Sequence, residues 1–183
     1  MTTIIDLFEN SVSRYSQNPF LWEKKTSKYE SLTYNEVLKK TQILAAGLIS
    51  LNVKKEERIA LLSEGRNYWV MSELAILYVG AVNVPLSVKL DAGTDLKFRL
   101  EHSGTKMIIV SNAQAQKVKQ IKNDLHNLEK IIYLDPQESY ENDELFIDDI
   151  FKLGEEYLKT NQEEFNKIKA NVKIGDLANI SYT

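Results

Sequence analysis

The side chains able to do chemistry in this chain are few and scattered. Gly65-Arg66-Asn67 follows the apolar run Ile59-Ala60-Leu61-Leu62 and precedes a helical pattern. That places it at a strand's carboxyl end, where α/β domains receive ligands, so Arg66 is a candidate to face an anion. The same three residues also start a helix with Asn67 as its N-cap, and this second reading is the one the local pattern favours. His102 closes a helical stretch, where a cation suits the dipole, and His126 sits in a polar turn. Neither has an acidic or serine partner at motif spacing, so neither is read as a general base. Residues 135–149 hold seven acidic side chains and no basic one. Their carboxylates lack the spacing of a cation-binding loop, which favours a solvated excursion over a metal site. The Lys and Arg residues between 89 and 122 read as helix surface. The last seven residues, Leu177-Ala178-Asn179-Ile180-Ser181-Tyr182-Thr183, read as a buried strand whose end carries the hydroxyls of Tyr182 and Thr183.

Composition narrows the classes open to such groups. With 23 basic and 26 acidic residues the net charge is −3, so the basic field that drives nucleic-acid binding is missing. There is no cysteine, hence no disulfide framework, thiolate metal site or cysteine nucleophile. The segment Met1-Thr2-Thr3-Ile4-Ile5-Asp6 lacks the basic-then-apolar pattern of a signal peptide, and the apolar runs fall short of the roughly 20 residues a membrane span needs. A soluble protein of cytoplasmic character is the expectation, and 183 residues suffice for one domain or a large piece of one.

The elements that must position these groups follow from periodicity. Thr3 is a predicted N-cap ahead of Leu7, Phe8, Val12 and Tyr15, which recur at near-helical spacing up to Asn18-Pro19. Segments 20–25 and 29–32 predict a hairpin around Thr26-Ser27-Lys28. Thr33-Tyr34-Asn35-Glu36 has the capping-box spacing, with Leu32 able to staple onto Val37, and Val37, Thr41, Leu44, Leu48 and Leu51 continue as an amphipathic helix. Strands and helices then alternate: strand 59–62, helix 67–78, strand 82–86, helix 94–102, strand 107–110, helix 113–125, strand 131–134. Two further helical patterns cover 151–158 and 163–168. Alternation of this kind predicts βαβ units, and so an α/β fold with a mostly parallel sheet and helices on both faces. Gly80 and Pro85 read as a helix exit and a strand edge, and Trp69 as packing a helix on the sheet.

An ordered series now carries a family resemblance: Leu32-Thr33-Tyr34-Asn35-Glu36-Val37; 57–69, Glu-Arg-Ile-Ala-Leu-Leu-Ser-Glu-Gly-Arg-Asn-Tyr-Trp; Gly80-Ala81-Val82-Asn83-Val84-Pro85-Leu86; Leu100-Glu101-His102-Ser103-Gly104-Thr105-Lys106; and 176–183, Asp-Leu-Ala-Asn-Ile-Ser-Tyr-Thr. In order and spacing it resembles the amino-terminal part of AMP-forming acyl-CoA ligases, within the adenylate-forming enzymes, and most closely the long-chain fatty-acid branch. The resemblance implies an incomplete part of the large N-terminal, AMP-binding domain, spanning residues 1–183. It also implies a two-step reaction in which a fatty carboxylate attacks the α-phosphorus of ATP, and CoA then displaces AMP. ATP, Mg²⁺ and CoA are the implied cofactors and fatty acid the implied substrate, with peripheral membrane contact left open.

On the same resemblance, Thr183 is the first threonine of the phosphate-binding loop, its hydroxyl near Mg²⁺ and the phosphates, and Tyr182 flanks that loop. The Ser-Gly-Thr-Thr-Gly-x-Pro-Lys-Gly stretch that follows in the family is not among these residues, nor is the later lysine-bearing domain. The 183 residues alone are therefore expected to be inactive, with Thr183 a frayed end and exposed apolar surface promoting self-association. A stand-alone binding or assembly module is the alternative. A dinucleotide-binding domain is not, because no Gly-x-Gly-x-x-Gly follows any strand.

Overall fold

The computed structural model describes residues 2–182. Helix α1 (Ile4–Tyr15) opens on a capping box: Thr3 Oγ1 accepts from the Asp6 amide at 3.1 Å while the Asp6 carboxylate accepts from the Thr3 amide at 2.9 Å. The hairpin of β1 (Pro19–Lys25) and β2 (Lys28–Thr33) runs into α2 (Tyr34–Ser50) through a second box built by Thr33 and Glu36, at the predicted residues.

Among the described residues, five strands form one parallel sheet: β3 (Arg58–Leu62), β4 (Val82–Pro85), β5 (Met107–Val110), β6 (Lys130–Tyr133) and β7 (Glu144–Phe146), in the order β4-β3-β5-β6-β7. The expected α/β architecture is present. Both faces of the sheet are covered, so the strands read as continuous apolar runs, and the two-residue period only decides which layer each side chain joins. Ile59, Leu61, Met107, Ile109 and Ile132 enter one core with α1, α2, α3 (Asn67–Tyr78) and α6 (Ile147–Ala170). Ala60, Leu62, Ile108, Val110, Ile131 and Tyr133 enter the other with α4 (Lys97–Ser103) and α5 (Asn112–Ile121). Helix α4 is preceded by a π-type turn at Ala92–Leu96, whose first amides Gly93 and Thr94 are taken by Asp91 Oδ1 at 3.0 and 3.2 Å. Gly80 leaves α3 at φ +72°, as its place after the helix required.

Four expectations are corrected. The acidic stretch is not only a solvated excursion: it contains β7, where Glu144 is 5% exposed and binds Lys122 and the Tyr133 hydroxyl. The two late helices are one, α6, with a break in helical geometry at Asn161 (φ −123°, ψ 27°). Asn67 is not the cap of α3. Arg66 holds the N-cap position without a side-chain cap, and the Asn67 amide instead donates to Glu23 on β1 at 3.2 Å. The terminal segment, finally, is no buried strand: it makes a single bridge, Asn83 to Asn179, and Leu177 is 66% exposed. No described helix is long and apolar enough to cross a membrane.

Candidate functional site

The chain steps from β3 to β4 on one side and then to β5 on the other, so the strand order reverses between β3 and β5. In open parallel sheets ligands bind outside the carboxyl ends of the strands at such a reversal. Here the chain bridges that crevice with its own side chains. Glu64, just past β3, accepts from Ser111 Oγ at 2.7 Å and from Gln114 Nε2 at 2.5 Å, both just past β5. Burial pushes the Glu64 carboxyl up, but the hydrogen bonds from Ser111 and Gln114 and the charge of Arg66 outweigh it, so the group sits below its ordinary range. It is a carboxylate held by one donor on each oxygen, not a poised base.

Arg66 does face an anion, supplied by the fold. Its Nη1 lies 2.8 and 2.9 Å from the two oxygens of Asp135, just past β6, and Asp135 Oδ2 also accepts from the Asn112 amide at the start of α5 at 2.9 Å. Glu64, Ser111, Gln114 and Asp135 were not singled out by the sequence reading. Their signal was positional, since each follows closely on an apolar strand run. Among the described residues, no group of three or more His, Asp or Glu side chains could hold a metal ion.

The terminal segment lies on the open edge of β4. The Asn83 amide donates to Ala178 O and the Ile180 amide to Asn83 O, each at 2.9 Å, in a parallel pairing. Glu73 of α3 ties both sides, accepting from Asn83 Nδ2 at 3.1 Å and Asn179 Nδ2 at 3.4 Å. Running parallel, the segment carries the chain toward the same edge as Glu64, Ser111 and Asp135. Tyr182 is half-buried against the α4 side of the sheet, its hydroxyl 2.9 Å from His102 Nδ1. His102, set aside as a base, is thus the partner of Tyr182. Thr183 lies outside the described residues.

A parallel five-stranded sheet with this covering is the α/β architecture of the N-terminal domain of adenylate-forming enzymes. Residues 8–183 match the profile of the family described as AMP-binding enzyme, and the chain belongs to that family. It is 31% identical over 105 residues to an uncharacterized acyl-CoA ligase of Bacillus subtilis, covering 55% of this chain and 20% of that relative. It is 24% identical over 164 residues to a long-chain-fatty-acid–CoA ligase of Homo sapiens, covering 88% of this chain and 24% of that one. Among solved structures, a long-chain-fatty-acid-CoA ligase from Archaeoglobus fulgidus superposes with a TM-score of 0.75 at 18% identity, over 100% of this chain and 34% of that chain. The chain spans about a fifth of the length of the first curated relatives it matches.

Proposed function

We propose that the whole protein is an ATP-dependent, AMP-forming acid–thiol ligase that joins a long-chain fatty carboxylate to CoA. One observation carries the reading: the segment around Asn179 runs parallel to β4, so it leads toward the carboxyl side of the sheet, where such domains receive ligands. The names of relatives in frogs and humans, long-chain-fatty-acid–CoA ligases, support the fatty-acid substrate.

Thr183, which the family resemblance assigns to ATP and Mg²⁺, follows Tyr182 directly in the sequence. At the strand ends Arg66 is paired with Asp135, and Glu64 accepts from Ser111 and Gln114, while no group of three metal-ligating side chains occurs among the described residues. When bound, ATP supplies the α-phosphorus that a carboxylate attacks. The Thr183 hydroxyl is the group this sequence offers to Mg²⁺ or a phosphate oxygen, and Tyr182 holds the backbone before it. A carboxylate and a triphosphate repel each other, so the reaction needs amides and cations fixed in advance, and leading the backbone toward that side of the sheet is what these 183 residues contribute. The same reading makes the isolated 183 residues inactive, and a cytoplasmic location for the whole enzyme goes with it, peripheral membrane contact being left open.

A stand-alone, non-catalytic binding or assembly module is the second reading. The internal pairing of Glu64 and Arg66 at the strand reversal favours it, because that edge then needs no ligand. Whether the reading frame continues past Thr183 into a Ser/Thr/Gly-rich loop separates the two. Fatty-acid-dependent exchange of pyrophosphate into ATP by the full-length protein tests the first.

A further inference from the structure

Tyr182 is gripped by one face of α4. Its hydroxyl lies 2.9 Å from His102 Nδ1 and 3.3 Å from the Arg99 carbonyl oxygen. The Arg99 guanidinium stands 5.6 Å from the ring centroid, and Phe98 and His102 meet the ring edge-on at 6.5 and 5.8 Å. Phe98 in turn stacks on the His102 ring at 5.3 Å. A carbonyl can only accept, so when the tyrosine proton goes to Arg99 O, His102 donates through Nδ1–H; in the other imidazole tautomer the hydroxyl donates to Nδ1. Residues 98, 99 and 102 share one helix face by their spacing, and Phe98, 58% exposed, is an aromatic that α4 leaves at the surface with these rings as neighbours.

The rest of the segment is lightly held, with two backbone hydrogen bonds around Asn83 and a largely exposed Leu177. The clamp on Tyr182 is the last contact of the segment among the described residues. We propose that His102 is a positioning residue: it fixes Tyr182 against α4, and so holds the backbone of the residue that precedes the one the ligase reading gives to the phosphates. The inference rests on the ligase reading, in which Thr183 opens the phosphate-binding segment. His102 touches no reacting atom, and its effect is on where the backbone goes.

The test uses the full-length protein with His102→Ala, His102→Asn, Tyr182→Phe, the His102→Ala/Tyr182→Phe double variant, and Lys97→Ala as a control on the same helix. Two quantities are measured: hydrogen exchange at the Ile180 amide, which donates to Asn83 O, and KM for ATP against kcat in fatty-acid-dependent pyrophosphate exchange. His102→Ala and Tyr182→Phe each speed amide exchange and raise KM for ATP on the order of tenfold, below the roughly hundredfold that an ångström of misplacement costs a reacting group. The double variant is no worse than either single one, because both break the same contact. His102→Asn, which keeps a donor near the Nδ1 position, restores both readouts, and Lys97→Ala matches wild type. Wild-type amide protection and KM in His102→Ala and Tyr182→Phe overturn the proposal. Wild-type protein without acid-dependent exchange overturns the ligase reading instead, while the amide measurement still decides the clamp.

Discussion

Gly154 of α6 rests on Gly47 of α2. A Cβ at position 154 would stand 2.9 Å from the Gly47 nitrogen and closer still to the Ile43 carbonyl oxygen, and one at 47 would stand 3.0 Å from the Ile150 carbonyl carbon. Two bare backbones let the helices touch, which seats Ile147 and Ile150 fully in the core that backs the sheet. The Gly154→Ala variant should lose about 2–3 kcal/mol by overpacking. Thermal unfolding checks it: Tm falls by roughly 6–10 °C for a chain of this size, and an unchanged Tm would show that the helices can part at no cost.

Asp135 serves two elements, neutralising Arg66 after β3 and capping the Asn112 amide of α5. The Asp135→Ala variant strands a guanidinium whose Nε is already buried without a partner, and should cost roughly 1.5–3 kcal/mol. The exposed pair Lys97–Asp124 is the contrast, since solvent screens it and its loss should leave denaturant midpoints unmoved. Equal effects of the two substitutions would mean that the strand-end network carries no special weight.

Acid should unfold the protein partly through Glu144. Burial raises its carboxyl, but the Glu141 amide, the Tyr133 hydroxyl and Lys122 together outweigh that and hold it below the ordinary value. A depressed folded-state pKa gives stability that is present above the unfolded value, about 4.3, and lost as pH falls through the folded one. The Tm of wild type should therefore drop steeply below about pH 4.3, and Glu144→Gln should start lower at neutral pH with a shallower acid limb. Parallel acid limbs would remove Glu144 from the account.

Much of this was legible from local chemistry. The Thr33–Glu36 box and the 107–110 strand are set by short-range spacing and by burial on both faces, and they appear where the sequence puts them. The strand Glu144–Phe146 was not, because three residues inside an acidic run show no period. It pairs with β6, and its Glu144 side chain is held by Lys122 and Tyr133, which are distant in sequence. The cap position of α3 falls on Arg66, and the Asn67 amide is taken by Glu23 on another element, a partner that local spacing does not show. Leu177 and Ile180 looked buried by composition, whereas the segment is paired on one side only. Of the candidate site, the family motif was visible in 176–183, but the His102–Tyr182 contact joins residues 80 apart and only the fold reveals it.

The 183-residue chain should also self-associate. Ile4, Ile174 and Leu177 are 48%, 56% and 66% exposed, and the edge segment leaves backbone groups open beside them. Sedimentation should show mass rising with concentration, together with hydrophobic-dye binding. A strict monomer that binds no dye would contradict this.

The ligase reading is tested most directly by pyrophosphate exchange into ATP, measured on the full-length protein with and without a long-chain fatty acid and with Thr183→Val alongside. Exchange should require the fatty acid, acyl-CoA should form when CoA is added, and the isolated 183 residues should do neither. The Thr183→Val variant should keep its thermal stability and adenylate about a hundredfold more slowly, the cost of losing one transition-state contact of on the order of 3 kcal/mol. Full-length protein that exchanges no pyrophosphate with any fatty acid would contradict the proposed function, and near wild-type rates in Thr183→Val would contradict the place given to that hydroxyl.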